Sequence, residues 1–294
     1  MSSNERIQRR KSLAKKRQAE IRRRIGDQLI QEGLLDQAIE QYERATELDG
    51  RNVAARVALA DTYFANEMPA KAYRAYRKVL KTEPRHAECH FSLGEFFLSL
   101  GRARAALKAM SSAVSCDPER PYYAYRLGEL FLLLGQHEDA EEQFLRAVDL
   151  SPEDPFYHFK LGEVRLRQGR RAEAARSYEL ACRHAPADDF YHVRLAVVYA
   201  VQGRNDEALR AFRRTVRIEP RNAAYRFLLA EQLSMMGLEQ EAQRQYDYAG
   251  LLDEYDLDYV RRVRLRCGWS AEQGAPVADL GDEDLRGPSN GVLG

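Results

Sequence analysis

One pattern repeats every 34 residues from Ala19 to Asp256, without insertion or deletion, and it restricts the fold more than any other feature of the chain. It divides that span into seven units, 19–52, 53–86, 87–120, 121–154, 155–188, 189–222 and 223–256. The seventh residue of each unit is aliphatic (Ile25, Leu59, Leu93, Leu127, Leu161, Leu195, Leu229) and the eighth is small (Gly26, Ala60, Gly94, Gly128, Gly162, Ala196, Ala230). The twentieth is always alanine (Ala38, Ala72, Ala106, Ala140, Ala174, Ala208, Ala242). Four residues later stands a ring or methionine: Tyr42, Tyr76, Met110, Phe144, Tyr178, Phe212, Tyr246. Tandem repetition of this kind overrides the expectation of about two globular domains that 294 residues would otherwise carry.

The pattern describes a pair of antiparallel helices. Close approach of the two is expected where the small eighth residue faces the alanine, with the large residue filling the hole beside them. Glycine at the fifteenth position (Gly33, Gly101, Gly135, Gly169, Gly203, Gly237) ends the first helix, since only glycine enters the left-handed region without strain; Glu67 is the exception. Proline between units (Pro84, Pro118, Pro152, Pro186, Pro220) stops the second helix and is tolerated in the first turn of the next.

These residues resemble the tetratricopeptide repeat, whose W-x2-L-G-x2-Y, A-x3-F and P signatures are visible in HFSLGEFFLSLG, YRLGELFLLLG and FKLGEVRLRQG and the halves that follow. The resemblance implies an all-α solenoid, a superhelix of seven helix-turn-helix repeats whose concave surface is the usual peptide groove. Two departures stand out. Arg165 replaces a bulky ring on a first helix, and the fourth residue is Arg56, His90, Ala124, His158, His192 or Arg226 instead of tryptophan. Past the last unit the chain continues in phase as LDYVRRVRLRC, with Tyr259 and Val263 at packing positions and Arg264 in place of the small residue, so 257–267 is expected to be a capping helix. Residues 268–294, rich in Gly and Pro and holding five acids against Arg286, are expected to be a disordered acidic tail.

On the first helices, the second, fifth, ninth and twelfth residues form a stripe about 80° wide opposite the partner helix. A solvent-facing stripe should be polar, yet here it presents Phe91 and Leu98, then Tyr122, Tyr125 and Leu132, then Phe156, Phe159 and Leu166, then Phe190 and Val193. Its ninth residue is acidic in six units (Asp27, Asp61, Glu95, Glu129, Glu163, Glu231) and Val197 in the other. Cations at the sixth position include Arg126 and Lys160, three residues before Glu129 and Glu163 and within pairing reach on the same helix, and Arg194. Two readings stand: a self-neutralised ladder that keeps the groove soluble, or a groove for an apolar partner segment with basic side chains. The expected partner-binding residues are Phe91, Glu95, Tyr122, Tyr125, Glu129, Phe156, Phe159, Glu163, Phe190 and Val193. Tyr123, Tyr157, Tyr191 and Tyr225, at the third position, are expected to pack against the preceding unit.

Charge is balanced overall, 46 basic against 45 acidic residues, but residues 1–24 hold ten Lys and Arg against Glu5 and Glu20. Residues 1–18 are expected to be a helical or frayed basic extension. Arg9, Arg10, Lys11, Lys15, Lys16 and Arg17 are candidate contacts to an anionic partner, a nucleic acid or a membrane surface. Self-assembly of the repeats is a further alternative.

Catalysis and metal binding find little support. His158 and His192 recur in adjacent units about a helix spacing apart, a wide gap for two ligands of one zinc ion, no third ligand is evident, and no phosphate loop, HExxH or nucleophile elbow occurs. The chain therefore reads as a non-enzymatic interaction scaffold with no cofactor and no metal. Four unpaired-motif cysteines and the lack of an apolar leader or span point to the cytoplasm.

Overall fold

The 34-residue spacing becomes helix pairs in the computed structural model, which describes residues 3–251. The expected capping helix 257–267 and tail 268–294 lie outside the described residues. Fourteen helices occur among the described residues: α1 (Ser3–Gln31), α2 (Leu35–Leu48), α3 (Val53–Ala65), α4 (Pro69–Thr82), α5 (Ala87–Ser99), α6 (Ala103–Cys116), α7 (Pro121–Leu133), α8 (His137–Leu150), α9 (Pro155–Arg167), α10 (Arg171–His184), α11 (Asp189–Val201), α12 (Asn205–Ile218), α13 (Ala223–Met235) and α14 (Glu239–Leu251). No strand is present among them. Two compact units divide the described chain at Tyr123–Ala124. In the first, α1 through α6 pack in chain order, and α3 also touches α1 and α5. In the second, α8 through α14 pack likewise.

Local chemistry explains where the helices begin and end. Gly33, Gly101, Gly135, Gly169, Gly203 and Gly237 all have φ between 68° and 75°, and Glu67 takes the same left-handed conformation at φ 55°. After α5, Gly101 N donates to Leu98 O (2.9 Å) and Arg102 N to Phe97 O (2.8 Å), the two reversed bonds that satisfy the last carbonyls of a helix. At the other end, side chains just before the first helices accept free amide protons: Asn52 from Ala55 N, His86 from Cys89 N, Asp154 from Phe156 N, Asp188 from Phe190 N and Asn222 from Tyr225 N, at 2.9–3.1 Å. These caps recur at the last residue of the unit. The sequence signal for them is an Asn, Asp or His before these five apolar runs; Arg120 holds the same position before α7.

The core differs in one respect from the expected small-on-small contact. A methyl group added to Gly26, Gly94, Gly128 or Gly162 would stand 2.6, 2.6, 2.7 and 2.5 Å from Tyr42, Met110, Phe144 and Tyr178 respectively. The small eighth residue thus receives the large residue of its own partner helix directly, and the invariant alanines are buried beside that contact. Tyr42, Tyr76, Phe144, Tyr178 and Phe212 are among the largest fully buried side chains. Each supplies the bulk that holds its helix pair together.

Candidate functional site

The stripe on the first helices is built from contacts between successive repeats. A fifth-position ring meets the second-position ring of the next repeat each time: Phe91 with Tyr122 (5.5 Å between centroids), Tyr125 with Phe156 (5.0 Å) and Phe159 with Phe190 (4.9 Å). The two members differ in exposure. Phe159 is 6% exposed and Val193 0%, so these two do not face solvent as expected, whereas Tyr122 is 47% and Phe156 36% exposed. Treating each helix alone puts the fifth position on an open face. The next first helix in the stack covers it. Phe91, Tyr125 and Phe190 are half-buried between these extremes. The third-position tyrosines Tyr123, Tyr157, Tyr191 and Tyr225 are buried, as their packing role requires.

The ninth-position carboxylates are held from within the protein. Tyr42 donates to Asp27 (2.8 Å), Tyr76 to Asp61 (2.6 Å) and Tyr178 to Glu163 (2.7 Å), so in these three repeats an acid at position nine answers a tyrosine at position twenty-four, whereas the repeats of Glu95 and Glu129 have Met110 and Phe144 at the latter position. Burial, with Asp61 beside it, pushes the Tyr76 hydroxyl up, which keeps it protonated as the donor. The Asp61 carboxyl is raised mainly by the same burial. In the one repeat with Val197 at position nine, position twenty-four is Phe212, and both are buried without a hydroxyl to satisfy.

Cations complete the ladder, along one helix in α1, where Arg23 pairs with Asp27 at 2.6 Å, and between repeats in the second unit. Lys160 Nζ donates to Glu129 Oε1 of the preceding repeat at 3.2 Å, and Arg194 lies 3.9 Å from Glu163. The expected Lys160–Glu163 pairing within α9 is therefore replaced by a step back of one repeat. The reason is geometric: stacking turns the sixth residue of one first helix toward the ninth of its neighbour, while Tyr178 claims Glu163. Lys160 also sits 5.7 Å and 5.4 Å from the Tyr125 and Phe156 ring centres, and Arg194 lies 5.2 Å from that of Phe190. In the second unit the surface is thus a row of rings over a floor of paired charge. In the first unit, half-buried Glu95 follows Phe91 by one turn on α5.

Arg165, the departure from the repeat pattern, donates to Glu141 Oε1 (2.9 Å) and Ser177 Oγ (2.9 Å), and Arg170 reaches the other oxygen of Glu141 and also pairs with Glu173. A polar clasp replaces the ring there. Burial alone would raise the Glu141 carboxyl, but bonds from Arg165, Gln168 and Arg170 outweigh it and hold the group below the ordinary carboxylate range. The clasp joins α8, α9 and α10.

The histidines serve the loops. His90 and His158 lie 2.8 and 2.7 Å from the carbonyls of Pro84 and Pro152, and Arg226 Nε donates to Pro220 O at 2.8 Å. A carbonyl can only accept, so Nε2 of His90 and His158 carries the proton. His192 repeats the contact with Pro186 O at 3.1 Å, and burial holds its ring below the usual histidine range. No group of three His, Cys, Asp or Glu side chains is placed to hold a metal ion among the described residues. Cys89 and Cys182 are buried thiols.

At the start of the chain, α1 runs on as one helix from Ser3, and residues 8–18, including Arg9, Arg10, Lys11, Lys15, Lys16 and Arg17, are exposed. No helix among the described residues is long and apolar enough to cross a membrane.

Comparison with known proteins agrees with this architecture. The chain is similar in fold to a Pseudomonas aeruginosa protein, pilF (22% identity, TM-score 0.58, covering 74% of this chain and 99% of that one). It is also similar to a tetratricopeptide repeat protein from Parabacteroides merdae (16%, 0.53, 86% and 99%). A third is YrrB, described as a TPR protein with an unusual peptide-binding site (20%, 0.52, 61% and 92%). No curated protein sequence matches the chain. A tetratricopeptide repeat family model matches residues 26–67, and the model described as the C-terminal domain of cilia and flagella-associated protein 70 matches residues 49–262. With that match spanning most of its length, this all-α solenoid belongs to the tetratricopeptide repeat family, in the group of the cilia and flagella-associated protein 70 C-terminal domain.

Proposed function

We propose that the protein is a non-catalytic scaffold that docks a segment of a partner protein on the ring-bearing surface of its first helices. The observation that carries this reading is the exposure of Phe156, a large apolar side chain that stays open to solvent although it meets Tyr125 of the preceding repeat. Half-buried Tyr125, Phe190, Leu132 and Leu166 extend the apolar area around it within the second unit. A similar arrangement within the first unit is offered by Phe91 and exposed Tyr122. YrrB, of the same fold, is described as having a peptide-binding site, which supports the general reading without locating it here.

The partner segment is apolar, extended or helical. Glu129 and Glu163 already hold Lys160, Arg194 and Tyr178, which favours the self-neutralised reading of the ladder and makes the apolar surface the main contributor to affinity. A photo-crosslinking residue at Phe156, compared with one at exposed Arg176 on α10, tests this. A partner captured only from position 156, and lost when Phe190→Asp is added, is the expected result. Equal capture from both positions would remove the groove from consideration.

A further inference from the structure

The other first helices whose starts are set by a cap or proline, such as α3, α5 and α9, are 13 residues long, whereas α1 has 29. Residues 3–18 add about 24 Å of helix at 1.5 Å per residue before the repeat begins. Every residue from Gln8 to Gln18 is exposed, and Ala19 after them is buried. Residues 8–18 therefore present their side chains to solvent.

Its chemistry is one-sided in sign. Between Glu5 and Glu20 the arm carries Arg6, Arg9, Arg10, Lys11, Lys15, Lys16 and Arg17 and no acid. Glu20 pairs with Arg23 and Arg24, and Arg23 also with Asp27. Unrelieved like charge at three- and four-residue spacing disfavours a free helix. A ligand that neutralises those charges would therefore stabilise the arm as it binds.

Placement of the cations selects the ligand. At 100° per residue, Arg9, Arg10, Lys11, Lys15, Lys16 and Arg17 are spread around the whole circumference of the helix. A helix that lies on a bilayer needs its apolar and basic residues on opposite faces. Here the one large apolar side chain between Gln8 and Gln18 is Leu13, 69% exposed and flanked by basic residues. A duplex with B-form geometry instead surrounds such a helix: its major groove, about 12 Å wide, admits an α-helix between two walls of phosphate.

We infer that the α1 arm is a sequence-independent docking helix for double-stranded DNA, bound through its phosphates. Cations spread around the helix meet phosphates on both groove walls whatever the base sequence, so the affinity is electrostatic. This interaction stands apart from the groove proposed above. It neither requires peptide binding nor is weakened by its absence.

The test uses the full chain with a labelled 25-base-pair duplex of arbitrary sequence, followed by fluorescence anisotropy at several salt concentrations. If all six exposed cations engage, affinity should fall by about 10³-fold between roughly 50 and 200 mM salt. Replacing Arg9, Arg10, Lys11, Lys15, Lys16 and Arg17 together by Gln should abolish most of the binding and flatten the salt dependence. Because these side chains are exposed, the thermal unfolding midpoint of the repeats should stay where it was. Absence of binding at low salt, binding that survives the sixfold substitution, or tighter binding to phosphatidylserine vesicles than to the duplex would each overturn the assignment.

Discussion

Glu67 is the residue at which this chain departs most clearly from its own pattern. It adopts φ 55° where the other described repeats place glycine. A side chain in that region is strained by roughly 1–2 kcal/mol, and part of the relief from glycine is offset by its greater freedom when unfolded. Glu67→Gly should therefore stabilise the protein by about 0.5–1 kcal/mol, measurable as a higher denaturant midpoint. Gly162 gives the opposite case. Its missing side chain makes room for Tyr178, so Gly162→Val should overpack the pair and cost about 1–3 kcal/mol by the same measurement. Both positions stand out in the sequence, one as a break in a column and one as part of it. Which neighbour Gly162 accommodates was not legible, because a column of small residues does not say what it faces.

Between neighbouring helices, the sixth and ninth positions behave as a pair: Glu129 with Lys160, Glu163 with Arg194, and at the same register Val197 with Leu228. The last pair is apolar and wholly buried. Val197→Glu should place a carboxylate there with neither a tyrosine hydroxyl nor a cation to receive it, a loss of about 3 kcal/mol or more. Adding Leu228→Lys should recover part of it, and a double-mutant cycle showing no coupling would contradict the pairing. The sequence displayed both columns plainly, yet reading them within one helix led to Lys160 and Glu163 as partners. The same limit applies to the stripe itself. A wheel drawn for an isolated helix leaves Phe159 and Val193 open, and the neighbouring repeat closes over them.

Across the whole molecule, helix pairs that touch mainly their neighbours make stability a sum of local terms. A lesion such as Gly162→Val should accordingly raise amide exchange most in α9 through α11 and leave α1 through α4 near their original protection. The Arg165–Glu141–Arg170 clasp adds a pH dependence. Its carboxyl is held below the ordinary value of 4.5, so its contribution is present above that pH and is lost as pH falls further through the lowered folded value. Glu141→Gln should flatten that part of the acid unfolding curve relative to the parent chain.

The 34-residue period was enough by itself to establish an all-helical repeat, its turns and its core columns, because those depend on backbone stops and side-chain sizes that recur in every unit. Tertiary structure alone decided which rings stay open, which carboxylates answer which hydroxyls and cations, and why arginine replaces a ring at position 165. The hydroxyl contacts join the two helices of one repeat, and the ring and cation contacts join one repeat to the next; in both cases the contact geometry of two packed helices is not encoded in the periodicity of either.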